Sequence, residues 1–410
     1  MTGAETTGAP AGWADLWADL WGDAPATAGA PSIGEGDPFV LLDDARAAGN
    51  WRLFKDPREI VVAHAPGEVG AALERLRAGV QSGFHAAGYL AYEAGLALEP
   101  RLAELQGGAG ETPLVWFGLF DAPQDVPPPP GEPAPRAQLS RALDEAQYTG
   151  HIRDILGLIE AGDCYQVNFT LETMVRSGAA PSALFGHLRK AQRAGWGGML
   201  STGTGGLLSC SPELFFAMRG GEIWTRPMKG TAPRAACPAA DEARREALRV
   251  DPKERAENLM IVDLLRNDLS RVSRPGSVRV DELFAIESYP TVHQMTSTVR
   301  ARLEPGLDAV DVIAHLFPCG SVTGAPKIRA MEIIAATERR VRGAYTGSMG
   351  VIAPDGRAAF NVLIRTLEFE RPGGAYRLGV GSGIVHDSDP LREWRECGAK
   401  IRFVDPVPAW

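Results

Sequence analysis

The strand-like segments of this 410-residue chain are joined by short turns rather than by helices. The clearest example is LEFERPGGAYRLGV, residues 367–380, in which a Pro-Gly-Gly turn separates two apolar runs. A turn of this length reverses the chain, so the two strands must pair antiparallel. Helical patterns fall in separate segments, such as residues 253–269 (KERAENLMIVDLLRNDL) and 326–340 (PKIRAMEIIAATERR). The sequence therefore predicts an α+β fold built on antiparallel sheets.

The composition argues against several classes of protein. The net charge is −9, so no overall positive field favours nucleic acid or anionic lipid, and an anionic ligand needs positive charge placed locally. The five cysteines include no C-x-x-C pair, which argues against a disulfide framework and a zinc site. The start lacks a secretory signal pattern, and no run of about 18 apolar residues predicts a membrane span. We therefore expect a cytoplasmic protein.

Composition also divides the chain into four predicted parts. Residues 1–36 are rich in Ala, Gly, Thr and Pro and predict a poorly ordered leader. A stripe of three tryptophans and two leucines between residues 13 and 21 predicts a helix, either packed on the rest of the protein or docking a partner or second copy. Residues 37–121 predict the amino-terminal part of the main fold, and residues 122–137 a Pro-rich linker. Residues 138–410 contain nearly all candidates for chemistry.

Two glycine-rich segments lack the spacing of nucleotide-binding motifs. CGSVTGAPK, residues 319–327, has three residues between its glycines and Ala-Pro before its lysine, so it is not a phosphate loop. GVGSGIV, residues 379–385, lacks G-x-G-x-x-G and leads into HDSDP rather than a helix. We expect the first to begin a helix with Pro326 at its first position, and the second to let backbone N–H groups approach a ligand.

Two predicted helices each carry glutamates on one face. Glu254 and Glu257 are i, i+3 neighbours that continue an apolar stripe, and Glu393, Glu396 and Lys400 share a face of the helix after SDP. For either pair alone, solvated surface glutamates are the simpler interpretation. If both pairs converge, four anions repel one another unless a divalent cation lies among them. Oxygen ligands without a His or Cys cluster indicate Mg²⁺.

A series of motifs follows one order along the chain. They are IEAGDCYQVNFT, SPELF, RPMKGTAPR, AENLMIVDLLRNDLSRV, HQMTSTV, FPCGSVTGAPKIRAMEII, YTGSMG, LIRTL and GSGIVHDSDPLREWRE. Together they resemble the chorismate-utilising enzymes, which include component I of aminodeoxychorismate synthase and of anthranilate synthase, and the isochorismate and salicylate synthases. The resemblance covers about residues 148–404, more weakly 38–121, and implies a chorismate-binding catalytic domain at 138–410. It also implies an anthranilate-synthase-like fold, with two antiparallel sheets flanked by helices and a cleft between them.

The resemblance implies roles for individual residues. Glu257 and Glu396 would hold Mg²⁺, supported by Glu254 and Glu393 through water, and the metal would bind the ring carboxylate of chorismate. Glu213 in SPELF would be the general acid that protonates the leaving C4 hydroxyl, because burial keeps such a carboxyl group protonated. The residues that would contact the substrate are Arg365, Tyr345, Gly381 and Gly383 at the enolpyruvyl carboxylate, His293 and Ser321 at the ring, Lys400 beside the metal, and also Thr323 and Gln166.

Lys229, in the turn RPMKGTAPR, distinguishes among members of the family. Members that make anthranilate have alanine here, whereas members that make 4-amino-4-deoxychorismate have lysine. That lysine is expected to add to C2 of the ring as a neutral amine while the C4 hydroxyl leaves, after which ammonia enters at C4. Gln166 matches the water-activating lysine of isochorismate and salicylate synthases, and glutamine cannot act as that base. The resemblance therefore implies Mg²⁺-dependent amination of chorismate at C4, for 4-aminobenzoate and folate synthesis.

The resemblance also bears on partners and alternatives. No cysteine lies in a G-x-C-x-G elbow, so the second substrate, ammonia, would be free or come from a separate glutamine amidotransferase subunit (component II). LLDD, residues 41–44, lacks the serine of the LLES motif in tryptophan-regulated members, which argues against tryptophan binding. One alternative is anthranilate synthase component I, which aminates C2 and eliminates pyruvate. The other is a catalytically silent chorismate-binding regulatory subunit, which the presence of Glu213 and the metal glutamates disfavours.

Overall fold

The structure is a computed structural model that describes residues 36–46, 51–105, 112–126, 137–289 and 292–404. The predicted leader, with its tryptophan-striped helix, lies outside the described residues apart from its last position. The described ranges contain no helix that is long and apolar enough to cross a membrane. Within them the chain forms twenty β-strands and nine α-helices.

The strands are numbered in chain order. The first ten are β1 (Phe39–Asp43), β2 (Trp51–Lys55), β3 (Glu59–Ala63), β4 (His85–Leu90), β5 (Val115–Phe120), β6 (Gln124–Asp125), β7 (Gln138–Arg141), β8 (Gln166–Arg176), β9 (Gly197–Ser201) and β10 (Gly206–Ser209). The second ten are β11 (Leu214–Arg219), β12 (Glu222–Arg226), β13 (Met228–Pro233), β14 (Arg279–Ser288), β15 (Val292–Arg302), β16 (Gly324–Ala325), β17 (Ser348–Ile352), β18 (Ala358–Asn361), β19 (Thr366–Phe369) and β20 (Tyr376–Val385).

The strands form two ten-stranded antiparallel sheets. The first has the order β16-β8-β20-β19-β10-β9-β1-β2-β6, with β7 also paired to β8. The second has the order β13-β15-β12-β11-β18-β17-β4-β5-β3, with β14 also paired to β15. The hairpin predicted at residues 367–380 is the β19–β20 pair, in which Leu367 is opposite Leu378. The predicted α+β fold with antiparallel sheets is confirmed.

The described ranges contain nine α-helices, and three of them, Pro252–Ser270, Lys327–Glu338 and Pro390–Lys400, match segments predicted to be helical. The nine helices are α1 (Val69–Gln81), α2 (Ala94–Leu98), α3 (Glu145–Glu160), α4 (Pro181–Gln192), α5 (Pro238–Val250), α6 (Pro252–Ser270), α7 (Ala309–Leu316), α8 (Lys327–Glu338) and α9 (Pro390–Lys400). Asp251 and Asp389 cap α6 and α9 by accepting backbone N–H groups of the first turn, and proline follows each. Pro326 does not occupy the first position of α8 as predicted. It precedes the helix as the N-cap residue, with an extended backbone.

The two sheets pack against each other and carry helices on their outer faces. The core between the sheets contains residues of both, including Leu42 and Phe54 from the first and Trp116 and Leu214 from the second. A second core lies between the first sheet and α3, α4, α8 and α9. A third lies between the second sheet and α1, α6 and α7. The fold therefore has four layers, with the sheets in the middle.

Both sheets contain strands from before and after the predicted linker. Asp43 of β1 is opposite Gly197 of β9, and Leu90 of β4 is opposite Ser348 of β17. Inside the predicted linker, β6 pairs with β2, while residues 127–136 lie outside the described residues. The hydrogen bonds of each sheet therefore join the amino-terminal part to the rest of the fold, and the domain boundaries themselves remain a prediction.

The segment GLLSCSPELFFAM, residues 206–218, is divided between the sheets. Its first part is β10 in the first sheet and its last part is β11 in the second. Residues 210–213 therefore carry the chain from one sheet to the other. The hydroxyl of Ser211 holds this crossing, because it donates to the Val362 carbonyl at 2.6 Å and accepts from the Glu213 N–H at 3.2 Å. Glu213 is buried at this crossing.

Candidate active site

A cavity of about 400 Å³ is lined by both sheets and by two helices. Strands β8 and β20 contribute from the first sheet, β13 and β15 from the second, and α6 and α9 complete the wall. Twelve of the fifteen predicted site residues line it: Lys229, Glu213, Ser321, Tyr345, Arg365, Gly381, Gly383, Lys400, Glu254, Glu257, Glu393 and Glu396. A cavity of this size with convergent charged groups is suited to a small polar ligand.

Lys229 extends into the cavity from an interruption in strand β13. The pairing of β13 with β15 shifts register between Met228 and Thr231. Gly230, within this shift, has a φ of +94°, a backbone conformation that glycine adopts at little cost. A Cβ atom at Gly383 of β20 would lie 2.9 Å from Lys229 Nζ. The missing side chain at Gly383 therefore leaves room for the lysine amine.

Glu213 is a buried acid in contact with the turn at residues 320–322. It is 4% exposed, and its Oε1 accepts a hydrogen bond from Ser321 Oγ at 2.6 Å. Burial raises the pKa of Glu213 above its ordinary value, and the Ser321 bond and nearby cations offset this only in part. A raised pKa favours the protonated form of the carboxyl group, which is the form that a general acid requires.

Glu254 and Glu257 of α6 and Glu393 and Glu396 of α9 all line the cavity, so the two pairs, each predicted to share a helix face, converge in this structure. Burial, followed by repulsion from neighbouring carboxylates, raises the pKa of Glu254 to about 7. Burial also raises the pKa of Glu257, and the charges of Glu393 and Glu396 add to the increase. The carboxylates are therefore close enough to destabilise one another's ionised forms.

Each of these four carboxylates has a cationic or hydroxyl neighbour. The closest approaches are Arg392 to Glu254 and Lys253 to Glu257 at 3.8 Å each, Lys400 to Glu396 at 2.8 Å, and Ser388 Oγ to Glu393 at 2.8 Å. Lys400 also donates to the Gly381 carbonyl at 2.8 Å. The Lys400 charge lowers the pKa of Glu396. Burial lowers the pKa of Lys400, but the charge and hydrogen bond of Glu396 together with the nearby Cys397 and Tyr345 outweigh burial, and the pKa of Lys400 is raised.

The carboxylates match a hard divalent cation in their chemistry. Within the described ranges, no three His, Cys, Asp or Glu side chains are close enough together to hold a metal ion. Burial raises the pKa of Glu254 and of Glu257, and neighbouring carboxylates add to the increase, so a cation among them would stabilise their ionised forms. Carboxylate oxygens favour Mg²⁺ over softer metals. The donor set fits Mg²⁺, which remains a proposal.

Tyr345 and Arg365 line the cavity near β20. The Tyr345 ring packs directly against Gly379. A Cβ atom at position 379 would lie 2.1 Å from the ring, so this contact requires glycine. Burial raises the pKa of Tyr345 to about 12, which keeps its hydroxyl a donor at neutral pH. Arg365 donates to the Gln192 side chain and has a positive φ of 51°. Burial lowers the pKa of Arg365 below the ordinary value for arginine.

His293 points away from the cavity, contrary to the expected contact with the ring. Its Nδ1 lies 2.8 Å from Ser288 Oγ, and its Nε2 lies 3.1 Å from Asp241 Oδ1. Val292 and Gln294, the residues on either side, line the cavity instead. Successive side chains of a strand point to opposite faces, so His293 and Gln294 cannot both enter it. In this structure Gln294 takes the place given to the histidine.

Thr323 and Gln166 also lie outside the cavity lining. Thr323 is fully buried, and its hydroxyl donates to the carbonyls of Cys319 and Gly320 at 3.3 and 3.2 Å. Its contacts therefore stabilise the turn that carries the predicted substrate residues. Gln166 lies next to Gly383, where a Cβ atom would be 3.1 Å from its Nε2. In the described part of the chain this Nε2 is buried without a hydrogen-bond partner.

Six polar residues of the cavity were not predicted from the sequence. They are Asn168, Thr231, Lys253, Gln294, Arg392 and Arg402. The i to i+4 spacing of Lys253 from Glu257 and of Arg392 from Glu396 is the signal that could have identified two of them. Gln294 gave no such signal, because nearly every position of β15 is buried and the sequence does not reveal which face meets the cavity.

The chain belongs to the chorismate-binding enzyme family. The family model, described as chorismate binding enzyme, matches residues 121–406, well over half of the chain. Aminodeoxychorismate synthase component 1 of Klebsiella aerogenes is 44% identical over 269 residues, which are 66% of this chain and 58% of that protein. Anthranilate synthase component 1 of Streptomyces coelicolor is 42% identical over 261 residues, which are 63% of this chain and 51% of that protein. The chain thus spans between half and three fifths of the length of these relatives.

The fold has a solved counterpart. The crystal structure of anthranilate synthase component I from Streptococcus pneumoniae TIGR4 matches 98% of this chain and 100% of its own, with a TM-score of 0.74 and 22% identity. This similarity confirms the predicted anthranilate-synthase-like fold. At this identity it concerns the fold alone.

Replacing Glu213 by glutamine should change how stability depends on pH. The pKa of Glu213 is raised above the ordinary 4.5, so the folded state binds this proton more tightly than the unfolded state. Wild-type stability therefore includes a contribution that is lost as pH rises from about 4.5 through the folded pKa. Glu213→Gln lacks this loss, so its melting temperature relative to wild type rises across the same range.

Thermal unfolding from mildly acidic to mildly alkaline pH measures this difference. Glu304→Gln, at an exposed glutamate, is the matched control and should show no such trend. A difference between Glu213→Gln and wild type that stays constant with pH would contradict the assignment of a raised pKa to this group.

Proposed function

We propose that the chain aminates chorismate at C4 to give 4-amino-4-deoxychorismate. The observation that carries this proposal is the position of Lys229, whose amine lies in the cavity against Gly383 and beside the side chain of Gln166. A nucleophilic lysine at this position separates the C4-aminating chemistry from the other reactions of the resembling enzymes. The similarity to component 1 of aminodeoxychorismate synthase supports the same conclusion.

Glu213 supplies the proton for the first bond cleavage. Hydroxide is a poor leaving group, so the C4 hydroxyl leaves as water after protonation. Burial raises the pKa of Glu213, which keeps the proton available for that step. Ser321 donates to one carboxyl oxygen and thereby fixes the orientation of the acid. Glu213→Gln lowers kcat by roughly 10²–10⁴-fold on this account, the usual contribution of a positioned general acid.

Lys229 acts as the nucleophile at C2. Its neutral amine adds to C2, both double bonds of the conjugated ring diene shift by one position, and the C4–O bond breaks with release of water. Ammonia then adds at C4, both double bonds shift back, and the C2–N bond to the lysine breaks. Each amine loses one proton on bond formation, and Lys229 regains its proton on release, so the net reaction exchanges hydroxyl for amine.

The remaining lining residues bind the two carboxylates of the substrate. Arg365, the hydroxyl of Tyr345 and the backbone N–H groups at Gly381 and Gly383 suit the enolpyruvyl carboxylate. Lys400 adds positive charge beside the glutamates. The protein has a net charge of −9, so binding of the dianionic substrate depends on the cationic side chains that lie inside this cavity.

Mg²⁺ is proposed as the cofactor. Glu257 and Glu396 would hold it directly, with Glu254 and Glu393 supporting through water. When bound, Mg²⁺ supplies positive charge that binds the ring carboxylate. Ammonia is proposed to come from a separate glutamine amidotransferase subunit, which the designation "component 1" of the relatives supports. A separate enzyme would then convert the product to 4-aminobenzoate, a folate precursor.

Anthranilate synthesis is the second candidate function. It is supported by the 42% identity to anthranilate synthase component 1 of Streptomyces coelicolor, close to the identity with the C4-aminating relative. That reaction adds ammonia at C2 and releases pyruvate. A covalent lysine at C2 blocks the carbon that ammonia must reach, so Lys229 favours amination at C4.

Mg²⁺ should stabilise the folded chain through the glutamates. A ligand that binds only the folded state adds about 2.7 kcal/mol of stability at a hundredfold excess over its Kd. Mg²⁺ therefore raises the melting temperature of wild type, and Glu257→Gln and Glu396→Gln lose this increase. Glu246→Gln, on the exposed face of α5, is the control and keeps it. An increase of equal size in all four proteins would contradict the proposed ligands.

Product analysis tests the role of Lys229. Wild type with chorismate, ammonium and Mg²⁺ should give 4-amino-4-deoxychorismate with the enolpyruvyl group retained, detected by liquid chromatography and mass spectrometry. Lys229→Ala should lose this product, because no amine can then activate C2. Lys253→Ala removes another cavity lysine and should keep the same product. Anthranilate and pyruvate from wild type would show that the second candidate is correct.

A further inference from the structure

The side chain of Gln294 has one hydrogen-bonding atom without a partner. Gln294 is 8% exposed and lines the cavity from β15. Its Nε2 donates to Thr231 Oγ1 at 3.0 Å, which fixes the amide. Its Oε1 is buried and accepts no hydrogen bond from any described residue. Burying a carbonyl oxygen without a hydrogen-bond donor costs free energy. This atom is therefore suited to accept a hydrogen bond from a ligand in the cavity.

The position of Gln294 in the sheet makes it part of the ligand site. Thr231, its hydrogen-bond partner, lies two residues after Lys229 on β13 and also lines the cavity. The register of the two strands places Thr231 opposite Gln294. His293 points to the other face, so Gln294 is the residue of this pair that meets the cavity. The unpaired oxygen therefore belongs to the same wall as the proposed nucleophile.

The chemistry of the substrate and product limits which hydrogen-bond donor this oxygen can accept from. At neutral pH chorismate carries two carboxylates and an ether oxygen, all of them acceptors. Its only O–H donor is the hydroxyl at C4. The amine of the proposed product lies on the same carbon. Every donor hydrogen that chorismate or the aminated product offers is therefore carried by the oxygen or nitrogen atom on C4.

We propose that Gln294 Oε1 accepts a hydrogen bond from the group at C4, which is the hydroxyl of the substrate and the amine of the product. This inference rests on the proposed amination at C4. A hydroxyl provides one donor and two acceptor positions, so it can donate to Gln294 while it receives the proton of Glu213. Gln294 thereby holds the leaving group without titrating, and it favours ligands that carry a donor at C4.

Equilibrium binding tests this contact without any turnover. The probes are 4-amino-4-deoxychorismate and the 4-deoxy analogue of chorismate, which has only hydrogen at C4, each titrated with Mg²⁺ and without ammonia. Wild type should bind the amine more tightly than the analogue. Gln294→Leu should reduce that preference about tenfold, the worth of one hydrogen bond, and should bind the analogue as wild type does. Gln294→Met, of nearly the same length, serves as a second variant if the leucine variant does not fold.

Thr296→Val is the matched control, because Thr296 follows on the same face of β15, is fully buried and does not line the cavity. It should leave the preference unchanged. Equal weakening of both ligands in Gln294→Leu would mean that the amide contacts another part of the ligand, and no change would mean that it contacts none. Either result overturns the inference. Failure of the proposed function would instead appear as a wild type that prefers the C4 amine in binding but forms no C4-aminated product from chorismate.

Discussion

The carboxylates that line the cavity cannot all be ionised at low cost, and the organisation of the site depends on this constraint. Burial and mutual repulsion raise the pKa of Glu254 to about 7, and they also raise that of Glu257. Lys400 partly balances the group through Glu396. The remaining negative charge favours a bound cation, and a bound cation in turn favours an anionic substrate. A cation bound there would allow an acidic protein to bind the proposed dianionic substrate.

The backbone of the two sheets places the chemistry around this charge. The chain crosses between the sheets at residues 210–213, which buries Glu213 and raises its pKa. The register shift at Gly230 directs Lys229 into the cavity from the second sheet. On the facing strand of the first sheet, Gly383 leaves the space that the lysine amine occupies. The proposed acid, Glu213, and the proposed nucleophile, Lys229, thus come from different segments, and the packing of the two sheets brings them to one cavity.

Much of the fold and most of the site could be predicted from the sequence, for physical reasons. A helix repeats every 3.6 residues, so the spacing of Glu254 from Glu257 indicated a shared face. Hairpin turns fixed the antiparallel pairing of β19 and β20. The error at His293 has an equally physical cause: β15 is buried on both faces, so no polar alternation shows which residues face the cavity. The crossing at 210–213 was missed because the strands on its two sides are both apolar.

The proposed amination at C4 requires a covalent bond between Lys229 and the substrate ring, which peptide mass spectrometry can detect. Wild type is incubated with chorismate and Mg²⁺ in the absence of ammonia, quenched with acid and digested. We expect a peptide containing Lys229 that is heavier by the mass of chorismate less one water, and that disappears when ammonium is added before the quench. Unmodified Lys229 in an enzyme that still forms 4-amino-4-deoxychorismate with ammonium, or an adduct on another lysine such as Lys253, would contradict it.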